Sequence, residues 1–204
     1  MGFEAKGRLS AVVARVVVAA GAAFACVVGP AGCTPAVAVC EEKISIIDVR
    51  AWAFVEPADD RRWPAPDDAA LCDNDDVQVQ PVGDDLALEI DTRLGCGWAT
   101  AQQPTLRDLH VGDRLQVQVF YFSQSSFPTA EAQVAIAIDD DVVLDERITI
   151  PATSGLLQPV LTIDNDIAAG ASAAFHIGNH GDNSWNLVEL AVLTSLPCDQ
   201  LDDD

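Results

Sequence analysis

The sequence predicts an all-β fold, an antiparallel, jelly-roll-like β-sandwich that follows an N-terminal signal segment. Apolar and polar residues alternate with a period of two through most of the chain, as they do in strands with one buried face. Past the leader, no stretch has the 3.6-residue apolar stripe of an amphipathic helix. Turns rich in Asp and Gly separate the alternating segments, so we expect roughly eight to ten short strands in two layers.

The expected strands are short apolar runs, each bounded by turn residues. In chain order they lie at 44–49, 77–80, 86–91, 115–122, 134–138, 142–150, 156–163, 173–177 and 185–193. The turn Asp139-Asp140-Asp141 between two of these runs is a hairpin signature. Residues 57–70 hold three prolines and four aspartates, which predicts a loop because neither strands nor helices tolerate that composition.

The N-terminal segment has the features of an export signal. Lys6, Arg8 and Arg15 precede a short apolar run at 16–28, and small residues follow it. About 20 apolar residues are needed to span a bilayer, so the run favours a cleaved signal over a membrane anchor. We therefore expect an export signal peptide at 1–32, an N-terminal tether at 33–42, a β-sandwich domain at 43–198 and an acidic tail at 199–204.

Two cleavage sites compete at the end of this segment, and Cys26 is a third option, whose preceding Phe24 and Ala25 fit a lipobox less well. Small residues at Ala31 and Gly32 directly precede Cys33. This sequence resembles a bacterial lipobox, although Pro30 stands where an aliphatic residue is usual. The resemblance implies that Cys33 is lipidated, becomes the new N-terminus and holds the protein in the cell envelope as an outer-membrane lipoprotein. The A-x-A site at 36–38 would instead release a soluble secreted protein.

Cysteine usage also indicates export. Four cysteines follow the lipobox-like sequence, namely Cys40, Cys72, Cys96 and Cys198. An even number in an exported chain predicts two disulfides, with three connectivities allowed. The first and last strands of sandwich folds often lie side by side, which favours Cys40 with Cys198 and leaves Cys72 with Cys96. A metal site is disfavoured because neither C-x-x-C nor C-x-x-H spacing occurs.

The chain is strongly acidic, with 32 Asp and Glu residues against 11 Lys and Arg residues and a formal net charge of −21. Such a field repels nucleic acid and anionic lipid, and neither basic patches nor aromatic RNA-binding motifs occur. We therefore expect no nucleic-acid partner, and contact with the membrane through the lipid anchor only.

Three segments of the C-terminal half share a pattern with known sandwiches. They are Val111-Gly112-Asp113 before a long strand, Ala168-Ala169-Gly170 before Phe175, and the final hairpin at 177–185. Over residues 86–194 the chain resembles the jelly-roll domains common among carbohydrate-binding modules. The resemblance implies non-catalytic glycan recognition, through aromatic side chains on the concave face or on loops at one end.

Within the final hairpin, Trp185 is the candidate platform for a sugar ring. If alternate residues at 188–192 point inward, the pleat sends Trp185 outward. An exposed tryptophan stacks on sugar C–H groups, while His180, Asn183 and Asn186 would read the hydroxyl groups. The opposite register would place Trp185 in the core.

Acidic loops are candidate sites for Ca²⁺, a hard cation that prefers oxygen ligands. The strongest candidate set is Asp73, Asp75 and Asp76, with a solvated loop tip as the alternative because no EF-hand pattern is present. Apart from such a structural Ca²⁺, we expect no cofactor. His176 and His180 lie four residues apart, but here that spacing covers a strand end and a turn rather than a zinc-binding helix.

Catalytic signatures are incomplete. Glu89-Ile90-Asp91 resembles the opening of a retaining-glucanase motif, in which two carboxyl groups act together. Thr92, Arg93 and Leu94 occupy the place of the closing glutamate, so the acid/base is missing. Neither G-x-S-x-G nor H-E-x-x-H occurs. We therefore expect no catalytic residues and interpret Glu89 as part of an exposed strand face.

These observations favour an exported, lipid-anchored, non-catalytic β-sandwich protein that recognises a glycan. A structural or assembly protein that binds a partner protein at the envelope is the alternative class. A polysaccharide-active enzyme is a weaker alternative.

Overall fold

A computed structural model describes residues 39–93, 95–179 and 181–198. The expected signal peptide, Cys33 and the acidic tail lie outside the described residues. No helix in the described part of the chain has the length and apolar character that crossing a membrane requires.

The chain divides into two compact units, of which the larger, Ser45–Leu193, contains the sandwich. In its described part, the smaller unit consists of residues before Ser45 and after Leu193. A disulfide joins Cys40 to Cys198 within this smaller unit, with the Cα atoms 4.9 Å apart. This pairing is the one that the sequence favours.

Strands make up most of the described chain. They are β1 (Val39–Ser45), β2 (Ala53–Val55), β3 (Val77–Val82), β4 (Asp85–Asp91), β5 (Trp98–Pro104), β6 (Arg114–Tyr121), β7 (Ala130–Ile138), β8 (Asp141–Ile150), β9 (Gly155–Leu157), β10 (Val160–Thr162), β11 (Ser172–Gly178) and β12 (Ser184–Pro197). A single 3₁₀ turn at Asn74–Asp76 precedes β3.

Two sheets form the sandwich. The seven-stranded sheet has the order β10-β6-β12-β4-β3, with β9 beside β6 and β1 beside β12. The five-stranded sheet has the order β2-β5-β11-β7-β8. The sheets are antiparallel, which confirms the predicted fold class.

The core lies between the sheets and is built from alternate residues. Strand β6 buries Leu115, Val117 and Val119 completely, as its period of two predicts. Phe175 of β11 and Trp185 of β12 are the largest side chains without solvent exposure. Each large apolar side chain so buried contributes about 1.5–3 kcal/mol of transfer free energy, so this layer supplies the main driving force for folding.

Periodicity does not predict strand β5, because its Ala, Thr and Gln residues lack an apolar alternation. The strand nevertheless lies inside the five-stranded sheet, paired with both β2 and β11. Strand formation here follows from cross-strand pairing rather than from intrinsic propensity. The predicted strand at 156–163 is divided into β9 and β10 around Pro159, which has no N–H group to donate to a ladder.

The predicted loop at 57–70 covers part of the outer face of the five-stranded sheet. Trp63 is 8% exposed and packs against Ala135, Ala137 and Ala174. Small side chains at these three positions leave room for the indole ring. After the loop, a disulfide joins Cys72 to Cys96, as expected, with the Cα atoms 4.8 Å apart.

Candidate ligand-binding site

A row of polar and apolar side chains crosses the outer face of the seven-stranded sheet. The row consists of Gln78, Glu89, Asn186, Phe120 and Leu156, which the strand registers place side by side. Their chain neighbours, such as Ile90 and Trp185, point into the core on the other face. The pleat of five paired strands therefore builds this row.

Two members of the row are buried although they face away from the core. Glu89 is 2% exposed and Asn186 is 0% exposed. Gln78 Nε2 donates a hydrogen bond to Glu89 Oε2 at 2.8 Å, and Gln80 Nε2 donates one to Asn186 Oδ1 at 3.1 Å. Buried carboxylates and amides need such partners, so these glutamines hold a polar floor in place.

A groove of about 440 Å³ lies beside this floor, and we name it the sheet groove. Its lining includes Glu89, Gln80, Phe122, Asn183 and Arg93. Phe122 is 43% exposed, and its ring meets that of Phe120 edge to face with centroids 4.9 Å apart. An exposed aromatic ring beside amides and a carboxylate is a combination that suits a small polar ligand with apolar faces.

Arg93 stands at the rim of the sheet groove and is bound to Asp91. Arg93 Nε donates hydrogen bonds to both carboxylate oxygens of Asp91, at 2.8 and 3.0 Å. The side-chain hydrogen bond from Arg93 lowers the pKa of Asp91, although partial burial acts in the opposite direction. Asp91 raises the pKa of Arg93, and the weaker fields of Glu89 and Asp182 act in the same direction. The guanidinium is therefore bound to Asp91, with Glu89 and Asp182 acting on it only through weaker fields.

A second groove, of about 680 Å³, lies among the loops that contain Gly95 and Ser125, and we name it the loop groove. Arg93 lines both grooves. Phe127 and Trp98 contribute aromatic rings to the loop groove, and Asp182 contributes a carboxylate. Phe127 is 101% exposed, so its whole ring is available to a ligand.

A separate buried cluster surrounds His176 on the outer face of the five-stranded sheet. The imidazole stacks on Trp63 at 4.6 Å between ring centroids and meets the edge of Trp98 at 4.7 Å. The Thr100 hydroxyl donates to Asp60, so His176 Nδ1–H donates to that hydroxyl, 2.8 Å away. Burial lowers the pKa of His176 to about 4, which leaves the ring neutral near pH 7.

The structure corrects the predicted orientation of Trp185. Its side chain is 0% exposed, and its ring lies 5.0 Å from that of Tyr121 in the core. The cause is an irregularity in the β12–β6 register between Leu187 and Glu189. A bulge shifts the alternation by one residue, so Leu190 points inward as expected while Trp185 also points inward. Trp185 therefore offers no surface to a sugar.

The other predicted ligand-binding residues have different positions. Asn186 belongs to the buried floor, where its Oδ1 is bound to Gln80. Asn183 lines the sheet groove, and its Nδ2 donates to the Ser123 carbonyl at 2.7 Å. His180 lies outside the described residues. Among the predicted ligand-binding residues that the structure describes, Asn183 is thus the one that lines a groove.

The acidic residues predicted to bind calcium serve as a cap for the 3₁₀ turn. Asp75 N donates to Asp73 Oδ1 at 2.8 Å, and Asp73 N donates to Asp76 Oδ2 at 2.9 Å. In the described residues, the one group with metal-ligand spacing is Asp76 with Cys72 and Cys96. These two sulfurs form a disulfide and are not free to bind a metal. The calcium site stays a prediction.

Glu89 is not on an exposed strand face as the sequence suggested, since it is 2% exposed. Its nearest carboxylate along the strand, Asp91, is bound to Arg93. A glycosidase acid needs a raised pKa, whereas Arg93 lowers the pKa of Asp91. Asp91, held as a carboxylate by Arg93, therefore does not have the raised pKa of a general acid.

Sequence reasoning missed three residues that line the sheet groove, namely Gln80, Arg93 and Phe122. The sequence does carry a signal for Phe122, because the alternation at 115–122 places it on the face opposite Val119. The sequence gives no such signal for Arg93, since this residue follows β4 in a turn whose position depends on the folded sheet.

No protein-family model matches the sequence, and no curated protein matches it. A solved carbohydrate-binding module, studied for specific mannan recognition, overlaps 76% of this chain and 98% of its own, with 9% identity and a TM-score of 0.47. A family 11 carbohydrate-binding module from Clostridium thermocellum, in complex with a β-1,3-1,4-mixed-linked tetrasaccharide, overlaps 74% and 94%, with 11% identity and a TM-score of 0.39. These similarities are too loose to carry an argument about the ligand of this chain.

Proposed function

We propose that this protein is an exported, non-catalytic receptor for a glycan, which it binds in the sheet groove. The observation that carries the proposal is the buried polar floor of Glu89 and Asn186 on an outer sheet face, beside the exposed ring of Phe122. Burial of a charged side chain is costly, and hydrogen bonds offset that cost. Gln78 donates one to Glu89, and the hydroxyl groups of a glycan would donate more.

Sugar chemistry matches the groove in two ways. The apolar C–H face of a pyranose ring stacks on an aromatic ring, and Phe122 offers one that is 43% exposed. Hydroxyl groups donate to carboxylates and exchange hydrogen bonds with amides, which Glu89, Gln80 and Asn183 provide.

The export part of the proposal rests on the N-terminal sequence and on the disulfides. Disulfides persist in oxidising compartments, and Cys40–Cys198 and Cys72–Cys96 are both joined. The lipobox-like sequence before Cys33 supports attachment to the cell envelope by a lipid, with soluble secretion after Ala38 as the alternative.

A glycan array tests the binding function directly. Wild type should bind at least one class of oligosaccharide, and Phe122→Ala should weaken that binding about ten-fold because it removes the stacking ring. Asn183→Ala should weaken it as well, through lost contacts with hydroxyl groups. Val142→Ala, at an exposed position on β8 of the other sheet, is the matched control and should bind like wild type.

An array without any bound glycan would remove this proposal. If the wild-type protein then captured a partner protein from an envelope extract, the result would favour a structural or assembly protein.

A further inference from the structure

We propose that the imidazole of His176 is an acid-sensitive latch for the loop at 57–70. When the ring gains a second proton, the loop leaves the outer face of the five-stranded sheet while the sandwich stays folded. Part of this loop lines the loop groove, so the latch changes the shape of that groove. The latch goes beyond glycan binding in the sheet groove and does not depend on it.

A single buried side chain holds the loop at 57–70 against the sheet. Trp63 is buried, whereas the other residues at 57–70 are half-buried or exposed. Its ring stacks on that of His176, with 12° between the two planes, and its carbonyl accepts a hydrogen bond from Trp98 Nε1. The guanidinium of Arg62 lies 5.6 Å from the centroid of the Trp63 ring. A protonated imidazole would therefore share this ring with a second cation.

The surroundings of the imidazole suit its neutral form. Its Nδ1–H donates to the Thr100 hydroxyl, which donates to Asp60. Nε2 is buried and has no hydrogen-bond partner among the described residues. A Cβ added at Gly178 would lie 3.4 Å from Nε2 and 2.7 Å from Trp98 Cζ3, so backbone and indole enclose this nitrogen. A proton on Nε2 would thus create a buried donor that water satisfies only after the cover has moved.

Charged groups on the neighbouring elements act on the imidazole in both directions. Burial is the largest effect and lowers the pKa of His176 from 6.5 to about 4. Asp60 of the loop, Asp145 of β8 and the backbone of Ala99 in β5 favour the protonated ring, and Arg147 of β8 opposes it. Water around the ring removes the effect of burial once the loop has left. Protonation therefore favours the open loop.

The loop moves because the strands around His176 are held by ladders. Strand β11 pairs with β5 on one side and with β7 on the other. The loop instead meets β5 through the Trp63–Trp98 and Asp60–Thr100 hydrogen bonds. Local opening of such a segment costs less than opening of the sheets, since few hydrogen bonds and one buried side chain are lost.

The indole N–H of Trp98 reports the latch directly, because it donates to the Trp63 carbonyl. We would measure its hydrogen exchange by NMR in the full chain between pH 7 and pH 4, corrected for the intrinsic exchange rate. Its protection should fall about 100-fold, the change in the ratio of open to closed loop that the lowered pKa of His176 implies. The indole N–H of Trp185, buried in the core, is the internal control and should keep its protection.

Variants assign the effect to one residue. His176→Gln should remove the pH dependence of Trp98 protection, since glutamine does not titrate, and Asp60→Asn should keep it. His110→Gln changes an exposed histidine and is the matched control, which should behave like wild type. If His176→Gln does not fold, the ring nitrogens of His176 in the wild-type spectra replace it. Their titration should coincide with the loss of Trp98 protection.

Three results would overturn the latch. The first is constant protection of Trp98 across the pH range. The second is an equal loss of protection at Trp98 and Trp185, because the whole sandwich would then open. The third is a pH dependence that Asp60→Asn abolishes or that does not follow the titration of His176. None of these results affects glycan binding, which the array tests separately.

Discussion

His176 is the residue whose surroundings most constrain its charge. It is fully buried between Trp63 and Trp98, and its Nδ1 is committed to Thr100. Its Nε2 is buried without a hydrogen-bond partner in the described part of the chain. A proton on Nε2 would place a charge in this buried cluster, and the cost of burial outweighs the opposing fields of Asp60 and Asp145, so the ring stays neutral near pH 7.

This arrangement predicts a loss of stability in acid. The pKa of His176 falls from its usual 6.5 to about 4 in the folded chain. Between pH 6.5 and about 4, His176 is therefore protonated in the unfolded chain but neutral in the folded chain. The free energy of unfolding should therefore drop as pH falls from 6.5 to about 4, by at most about 3 kcal/mol from this residue. Urea titrations across this pH range measure it.

His176→Gln should abolish that part of the pH dependence, since glutamine does not titrate. His110→Gln is the control, because His110 is exposed, and it should keep the wild-type slope. A wild-type slope in the His176 variant would show that carboxylates alone cause the acid sensitivity.

At the scale of elements, one aromatic side chain anchors the loop at 57–70. Trp63 packs over three alanines of the five-stranded sheet, and its carbonyl accepts a hydrogen bond from Trp98 Nε1 at 3.0 Å. Asp60 in the same loop caps the turn through Trp63 N. The loop also contributes Pro66 and Asp68 to the loop groove, so anchoring and groove shape are linked.

Trp63→Ala should release this loop and lower the free energy of unfolding by about 3–5 kcal/mol, the range for a buried aromatic truncated to alanine. Limited proteolysis should then cut within 57–70 while the sheets remain intact. Asp67→Ala, exposed in the same loop, should change stability by less than about 0.5 kcal/mol. Equal protease resistance of both variants would contradict the anchoring role.

Strand β12 shows which features of a strand can be predicted from the sequence and which cannot. Its apolar content and length predict a strand, and the structure confirms one there. The irregularity after Leu187 is not visible in the sequence, because any residue can occupy a bulge when the partner strand accommodates it. That single extra residue exchanges the faces of Trp185 and Asn186 relative to the expected alternation.

At the scale of the whole molecule, two covalent links and a large negative charge fit a protein that works outside the cytosol. The disulfides join residues 158 and 24 positions apart, so each restricts the unfolded chain over a long loop. The net charge of −21 favours solubility and discourages contact with anionic surfaces. Attachment to a membrane would then depend on a lipid rather than on the protein surface.

We predict that the protein expressed in a bacterial host partitions into the detergent phase after extraction, and that Cys33→Ala transfers it to the aqueous phase. The reason is that a lipid on Cys33 would be the anchor, and alanine cannot accept one. Cys26→Ala should leave the partitioning unchanged. A wild-type protein found in the aqueous phase, with an N-terminus at Val39, would establish cleavage after Ala38 instead.

Periodicity and turn residues predict the all-β class and most of the strands, because these features depend on local geometry. The cysteine count allows three pairings, and the usual adjacency of first and last strands favours the one that the structure has. Which surface forms the candidate binding site depends on contacts between residues that are far apart in the sequence. Glu89, Phe122 and Arg93 come together only when β4, β6 and β12 pair in one register, and a bulge determines which face of β12 joins them. Side-chain direction in a sheet changes with every residue, so one unpaired position moves the candidate site from Trp185 to its neighbours.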